Sequence, residues 1–148
     1  MGRMPAPETL DTAALIAHVL ERFHEGHRRD LPPLIAQARE VAPRLADHLA
    51  AMARALEHHM FKEEARLFPM MEQGGHALIG LLVDDLDAEH RAHEVAIDAL
   101  LALMDEPGAE PLRQPVQRFI DELQAHVRIE DEVLFRRFPR DRAVRPII

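Results

Sequence analysis

Apolar side chains recur every three to four residues along four long stretches of this chain, which is the spacing of one face of an α-helix. Between residues 43 and 71 the recurring apolar positions are Leu45, Leu49, Met52 and Leu56. The same spacing is found in stretches that begin near residues 10, 76 and 112. No stretch of strand length alternates between apolar and polar residues, so the pattern predicts an all-α protein.

Local signals place the ends of the predicted helices. Thr9 or Asp11 is a candidate N-cap for the first helix. Pro32 and Pro33 should kink or break that helix, because proline removes a backbone donor, and a second short piece should follow over residues 34–41. The remaining helices are predicted over residues 43–71, 76–105 and 112–138. Short connections between long helices predict an antiparallel four-helix bundle.

Composition limits what this bundle can do. With 148 residues we expect one domain over 1–148, with a short N-terminal arm, the bundle at about 10–138 and an arginine-rich C-terminal tail. The absence of cysteine excludes thiolate metal sites and thiol nucleophiles. The net charge of -8 argues against nucleic acid or an anionic membrane as partner. No apolar run approaches the length of a membrane helix, and no secretory signal is visible, so we expect a cytoplasmic location.

Eight histidine and glutamate positions, four in each half of the chain, repeat their spacing. The first half contains His24 and His27, then His59, Glu63, Leu67 and Phe68. The second half contains His90 and His93, then His126, Glu130, Leu134 and Phe135. Each half is therefore predicted to be one helical hairpin, and pairing the two hairpins gives a bundle with pseudo-two-fold symmetry.

This repeat predicts a buried metal centre. Histidine and glutamate in an apolar seam cost several kcal/mol if they have no partner, so a charge must compensate them. Two cations would do so, with Glu63 and Glu130 bridging both ions and the imidazoles of His24, His59, His90 and His126 completing the coordination. Imidazole with carboxylate suits iron. The remaining coordination positions would be open to water, an oxide or hydroxide bridge, dioxygen, peroxide or nitric oxide.

The other polar residues near these positions receive supporting or surface roles. Glu64, Glu89, Glu94 and Asp131 are candidates to hold the outer nitrogens of the ligand imidazoles. His27 and His93 are favoured for the same supporting role, with extra ligands or channel-lining residues as alternatives. The histidines outside the seams are expected at the solvent-exposed surface: His18, His48, His58 and His76. A bundle whose histidines and glutamates pair with one another without metal is the alternative to the whole assignment.

Four stretches also resemble a known family. They are FHEGHRRDLPPLI (23–35), HHMFKEEARLFPMM (58–71), DAEHRAHE (87–94) and AHVRIEDEVLF (125–135). Together they resemble the hemerythrin-like (HHE) cation-binding domains, and within them the di-iron proteins of iron–sulfur cluster repair. The resemblance implies a hemerythrin-type bundle, and it implies the same six ligands: His24, His59, Glu63, His90, His126 and Glu130.

The resemblance also implies a function. It suggests a non-haem di-iron centre with an oxo or hydroxo bridge that binds or reacts with nitric oxide, dioxygen or peroxide during nitrosative or oxidative stress. Iron donation to damaged iron–sulfur proteins would then support cluster repair. The alternative is a module that binds or senses dioxygen or nitric oxide reversibly, without turnover.

Three departures from the family pattern bear on that function. The repair proteins usually carry an N-terminal cysteine-containing domain, and we expect this chain to lack it, since the sequence has no cysteine. The fourth motif often ends in Leu-Phe-Pro but here continues from Phe135 into Arg136 and Arg137, so the last helix is expected to reach Pro139. The fifth histidine of the oxygen-carrying hemerythrins has no match in the pattern, which weakens the case for simple dioxygen carriage.

Overall fold

The structure is a computed structural model that describes residues 5–139, so the arginines predicted to form the tail from Arg140 onward lie outside the described residues. The first bundle helix consists of α1 (Thr12–Val19), a π-helical turn (Leu20–His24) and α2 (Glu25–Val41). Asp11 caps it, because its Oδ1 accepts a 2.8 Å hydrogen bond from the backbone N–H of Ala14. Of the two residues predicted as N-cap, Asp11 therefore caps the helix.

The predicted break at Pro32 and Pro33 is wrong, because α2 continues through both prolines to Val41. Both prolines are exposed, so they lie on the outer side of the helix. There the two carbonyls that lose their helical hydrogen bonds can face water, and the helix tolerates the loss.

The other three bundle helices follow the prediction closely. The second consists of α3 (Pro43–Lys62), a π-helical turn (Glu63–Leu67) and α4 (Phe68–Glu72). The third is α5 (Ile79–Leu103), which starts three residues later than predicted. The fourth begins with a 3-10 turn (Glu110–Leu112) and continues as α6 (Arg113–Ile129), a π-helical turn (Glu130–Leu134) and a final 3-10 turn (Phe135–Arg137).

The bundle is all-α, as predicted, and residues 5–139 contain no strand. None of the helices in this part of the chain is long and apolar enough to cross a lipid bilayer. The connection between the third and fourth bundle helices depends on Gly108, whose φ of 90° is unfavourable for residues with a side chain. A Cβ at this position would also collide with the carbonyl oxygen of Val41.

Two separate apolar clusters form the core. One is built around Leu45, Leu49 and Leu123. The other is built around Phe23 and Leu67 from the opposite part of the bundle. The buried polar side chains belong to neither cluster. They form a polar layer between two apolar regions, and this layer is where the predicted ligands lie.

Candidate metal centre

All six predicted ligands are buried, with exposed fractions of 0–1%. They come from all four bundle helices, and three of them lie at π-helical turns. His24 ends the first such turn, while Glu63 and Glu130 begin the other two. Interruptions of this kind in α-helices are frequent at functional sites. The described structure thus brings together every residue predicted to bind metal.

The six side chains form two groups that share both carboxylates. One group is His24, His126, Glu63 and Glu130, and the other is His59, His90, Glu63 and Glu130. Within each group the potential ligand atoms lie within 4.8 Å of one another. This arrangement provides two adjacent positions for cations, each with two imidazole nitrogens and an oxygen from each of two carboxylates.

Glu130 spans the two groups with its two oxygens. Its Oε1 lies 2.9 Å from Nε2 of His90 and 3.5 Å from Nε2 of His59. Its Oε2 lies 2.9 Å from Nε2 of His126, which belongs to the other group. The carboxylate is therefore oriented as a bridge between the two positions.

Glu63 is placed against both groups from the opposite half of the chain. Its Oε1 lies 3.1 Å from Nε2 of His24, 3.5 Å from that of His59 and 3.8 Å from that of His126. Its Oε2 is buried and has no hydrogen-bond partner among the described residues. A buried carboxylate oxygen without a partner is unfavourable, and a cation would satisfy it.

The nitrogens on the outer side of three ligand imidazoles contact carboxylates. Nδ1 of His24 lies 2.7 Å from Glu64 Oε2, and Nδ1 of His59 lies 2.9 Å from Glu89 Oε1. Nδ1 of His90 lies 2.8 Å from Oδ1 of Asp131. Such contacts fix the tautomer that leaves Nε2 free for a metal, and they make the imidazole a better donor. These three of the four predicted supporting carboxylates are therefore in place.

The prediction for Glu94 is wrong. Its carboxylate lies 3.2 Å from Nη2 of Arg91 on the outside of α5, where 60% of the Glu94 side chain is exposed. Each of the three carboxylates that do reach an imidazole also contacts a basic side chain: Arg28 pairs with Glu64, Lys62 with Glu89, and Arg91 with Asp131. The sequence pattern did not single out these basic residues.

His126 departs from this scheme, because its outer nitrogen contacts another histidine. Nδ1 of His126 lies 3.2 Å from Nε2 of His27. Burial and the proximity of His126 lower the pKa of His27 to about 3, so His27 is neutral and can accept a hydrogen bond. Phe23 also stacks on His126, with ring centroids 5.1 Å apart and planes 5° apart. The supporting role favoured for His27 thus agrees with the geometry.

His93 does not take the corresponding role in the second half. Its ring lies 5.1 Å from that of His59, but Nε2 of His93 is buried and has no hydrogen-bond partner among the described residues. Burial and His59 lower its pKa to about 4. The supporting contact predicted for His93 is therefore wrong, because Glu89 already occupies the outer nitrogen of His59.

Two phenyl rings pack against ligand imidazoles in matching positions of the two halves. Phe68 stacks on His24 and Phe135 stacks on His90, with centroids 5.8 Å apart in both pairs. The Leu-Phe pair repeats in both halves of the sequence, but its residue types do not by themselves indicate a role at the site. The repeat itself was the available signal that these rings belong to the site.

The charges of the protein alone would keep several of these imidazoles protonated. Burial lowers the pKa of His59, but Glu63 and neighbouring carboxylates outweigh this effect and raise it to about 12. In the same way the pKa values of His90 and His126 are raised to about 9. Burial would raise the pKa of Glu130, yet His126 and its neighbours hold it well below its usual range. Without metal, protons supply the positive charge that the two carboxylates require.

The donor set fits two small cations. Four buried nitrogens and two carboxylates point at shared positions, and Nε2 of His59 lies only 3.2 Å from Nε2 of His90. Two imidazole nitrogens at that distance need a proton or a metal ion between them. Nitrogen and carboxylate ligands of this kind suit iron and other first-row divalent metals.

The histidines expected at the surface divide into two pairs. His58 and His76 are exposed, as predicted. His18 and His48 are only half-exposed, which corrects the prediction. Nε2 of His48 lies 2.8 Å from the carbonyl oxygen of Ala96, so this histidine tethers α3 to α5.

Fold and site together define a class of protein: a four-helix bundle with a buried centre of histidines and glutamates that can hold cations. Residues 15–138 match the hemerythrin HHE cation binding domain, and the chain belongs to that family.

Several bacterial relatives are similar to this chain. Proteins of Pectobacterium atrosepticum and Pectobacterium carotovorum subsp. carotovorum, both named iron-sulfur cluster repair protein YtfE, are 34% identical to it. The protein of the same name from Salmonella paratyphi B is 32% identical. Each comparison covers 84% of this chain and 65% of the relative, so the chain spans about two thirds of the length of these relatives.

Proposed function

We propose that this chain is a di-iron protein that binds or reacts with nitric oxide, dioxygen or peroxide and supports the repair of iron–sulfur clusters by donating iron. The observation that carries the proposal is the pair of buried ligand groups sharing Glu63 and Glu130. The names of its relatives support the repair role.

In this proposal the two halves of the chain contribute equally to the centre. His24 and His126 would hold one iron, and His59 and His90 the other. Bound iron supplies the redox chemistry and the affinity for diatomic ligands. The role of the protein is to supply fixed donors, exclude bulk water and keep the outer nitrogens hydrogen-bonded.

Two surface cavities lie next to residues that support the ligand imidazoles. A cavity of about 360 Å³ is lined by His93 and Glu89, and Glu89 contacts the ligand His59. A second cavity of about 640 Å³ is lined by His93 and Asp131, and Asp131 contacts the ligand His90. His93 therefore lines two surface cavities, and each cavity is also lined by a carboxylate that contacts a ligand imidazole.

The first test is the metal content of protein purified under low oxygen, with absorption spectra recorded before and after addition of nitric oxide. We expect about two irons per chain and a new absorption band with nitric oxide. Protein that contains no iron and does not take it up from an anaerobic ferrous solution would refute the proposal.

A pair of variants tests the ligand assignment. Glu63→Ala removes one bridge and should lower the iron content of both positions, because both groups use this carboxylate. His48→Ala is the matched control, since His48 contacts Ala96 and no ligand. Equal iron content in the two variants would show that Glu63 is not a bridge.

Iron donation is tested by the rate of transfer to a ferrous chelator at neutral pH, with and without nitric oxide. We expect transfer within minutes, and faster transfer after nitric oxide. A centre that keeps its iron and recovers its starting spectrum when the gas is removed would instead support reversible binding or sensing.

A further inference from the structure

The two halves of the centre differ in how their imidazoles are supported. The residue that follows each bridging glutamate is acidic in both halves, and Glu64 and Asp131 accordingly take matching positions on His24 and His90. The residue that precedes the first histidine of each half is not matched. Glu89 precedes His90 and contacts His59, whereas the corresponding Phe23 precedes His24 and stacks on His126.

A phenyl ring cannot accept the hydrogen bond that Glu89 accepts in the other half. For His126 the partner is His27, whose Nε2 lies 3.2 Å from Nδ1 of His126. Its counterpart His93 has no hydrogen-bond partner at Nε2 among the described residues. The pseudo-two-fold symmetry is therefore broken at one specific contact. At the position of His59 and His90, both imidazoles have a carboxylate at the outer nitrogen. At the position of His24 and His126, His24 has a carboxylate there and His126 has an imidazole.

The nature of this partner affects how well the imidazole binds metal. A carboxylate that accepts from the outer N–H increases the electron density on the inner nitrogen, and hydrogen bonds to charged groups are stronger than those between neutral groups. An imidazole acceptor such as His27 carries no such charge. His126 is consequently the weakest donor of the four, and the ion that it binds is held least tightly.

We propose that the two metal positions are unequal, and that the position of His24 and His126 binds its ion about tenfold more weakly than the position of His59 and His90. His27 is then a positioning residue that acts through His126. The inference rests on the proposed metal centre, but it concerns any small divalent ion and does not depend on iron or on cluster repair. If iron is donated, the first iron to leave comes from the position of His24 and His126.

The test is an anaerobic titration of the metal-free chain with Co²⁺ at pH 7.5, followed by calorimetry and by the visible absorption of bound cobalt. We expect two steps of one ion each, separated by about tenfold in affinity. His27→Leu should weaken the weaker step by a further 10- to 100-fold and leave the tighter step within about threefold. Glu89→Gln should weaken the tighter step and bring the two steps together.

Two controls separate the hydrogen bond from packing. His93→Leu makes the same replacement at the matching position of the other half and should change both steps by less than about threefold, since His93 contacts no outer nitrogen. His27→Gln keeps an acceptor and should stay close to the unmodified chain. If His27→Leu does not fold, which its circular dichroism will show, Glu89→Gln and His27→Gln still test the inference.

Two equal steps in the unmodified chain would overturn the inference, as would loss of the tighter step in His27→Leu. So would an equal effect of His93→Leu and His27→Leu. These outcomes are independent of the proposed function. Unequal cobalt steps in a chain that neither takes up iron nor responds to nitric oxide would leave the inference standing and refute the function.

Discussion

The metal-free protein should lose stability as the pH rises from 6.5 to 8.5. In the folded chain the pKa values of His90 and His126 are raised from 6.5 to about 9, and that of His59 is raised further. A histidine whose pKa is raised by folding stabilises the protein fully below its unfolded pKa, and this stabilisation is lost as pH rises towards the folded pKa. Glu130, whose pKa is lowered, changes stability only at acidic pH, so it does not oppose this trend.

The magnitude follows from the linkage between protonation and folding. Each histidine that is protonated in the folded chain and neutral in the unfolded chain lowers the free energy of unfolding by about 1.4 kcal/mol per pH unit. Between pH 6.5 and 8.5 one such histidine accounts for about 2 kcal/mol, because the unfolded imidazole is still half protonated at pH 6.5, and this is a large part of the 5–15 kcal/mol that is typical of a small domain. All three histidines are deeply buried, so solvent screens these interactions little.

The assay is urea unfolding followed by circular dichroism in the presence of a chelator, at pH 6.5, 7.5 and 8.5. His90→Asn should reduce the pH dependence by up to about 1.4 kcal/mol per pH unit. His93→Leu is the control, because the pKa of His93 is lowered to about 4 and the residue is already neutral in the folded chain at all three pH values. A free energy of unfolding that is constant or rises between pH 6.5 and 8.5 would refute the reasoning.

Three further predictions concern the bundle itself, and each is measured as a change in the free energy of unfolding. Gly108→Ala should cost at least about 2 kcal/mol, because it combines a strained positive φ with a collision at the Val41 carbonyl; an unchanged midpoint would contradict this. Leu49→Ala should cost about 2–5 kcal/mol, whereas Val95→Ala, at a position 70% exposed, should stay within about 0.5 kcal/mol. Asp11→Ala should cost about 1 kcal/mol through loss of the helix cap, while Asp11→Asn should retain most of it.

The sequence predicts much of this architecture because a buried polar residue is costly and therefore informative. Helical spacing of apolar residues was sufficient for the four helices, and the duplicated spacing of His59, Glu63 and their counterparts was sufficient to bring six residues to one place. The break at Pro32 was predicted wrongly, because the sequence does not show that the carbonyl group left without a helical hydrogen bond lies on the solvent side of the helix. Burial decides this point, and burial is a property of the folded chain.

The π-helical turns were also beyond the sequence pattern, and they shifted one predicted seam. An uninterrupted α-helix through Glu63 would place Met70, seven residues further on, on the same face as Glu63. The π-helical turn over Glu63–Leu67 contains one residue more than an α-helical turn, so the buried face moves by one position. Met71 is therefore buried, and Met70 is only half-buried. No residue type in this stretch distinguishes a π-helical turn from an α-helical one.

The pairing of the supporting carboxylates with Arg28, Lys62 and Arg91 has a consequence for the charge of a metal-loaded centre. These basic side chains balance the negative charges of the three supporting carboxylates. Only Glu63 and Glu130 therefore remain to balance the charge of the ions. Two divalent ions carry twice the charge of those two carboxylates, so a surplus of positive charge stays in a volume that excludes water. Anions should therefore enter such a centre more readily than neutral molecules of the same size, and azide should compete with nitric oxide for it.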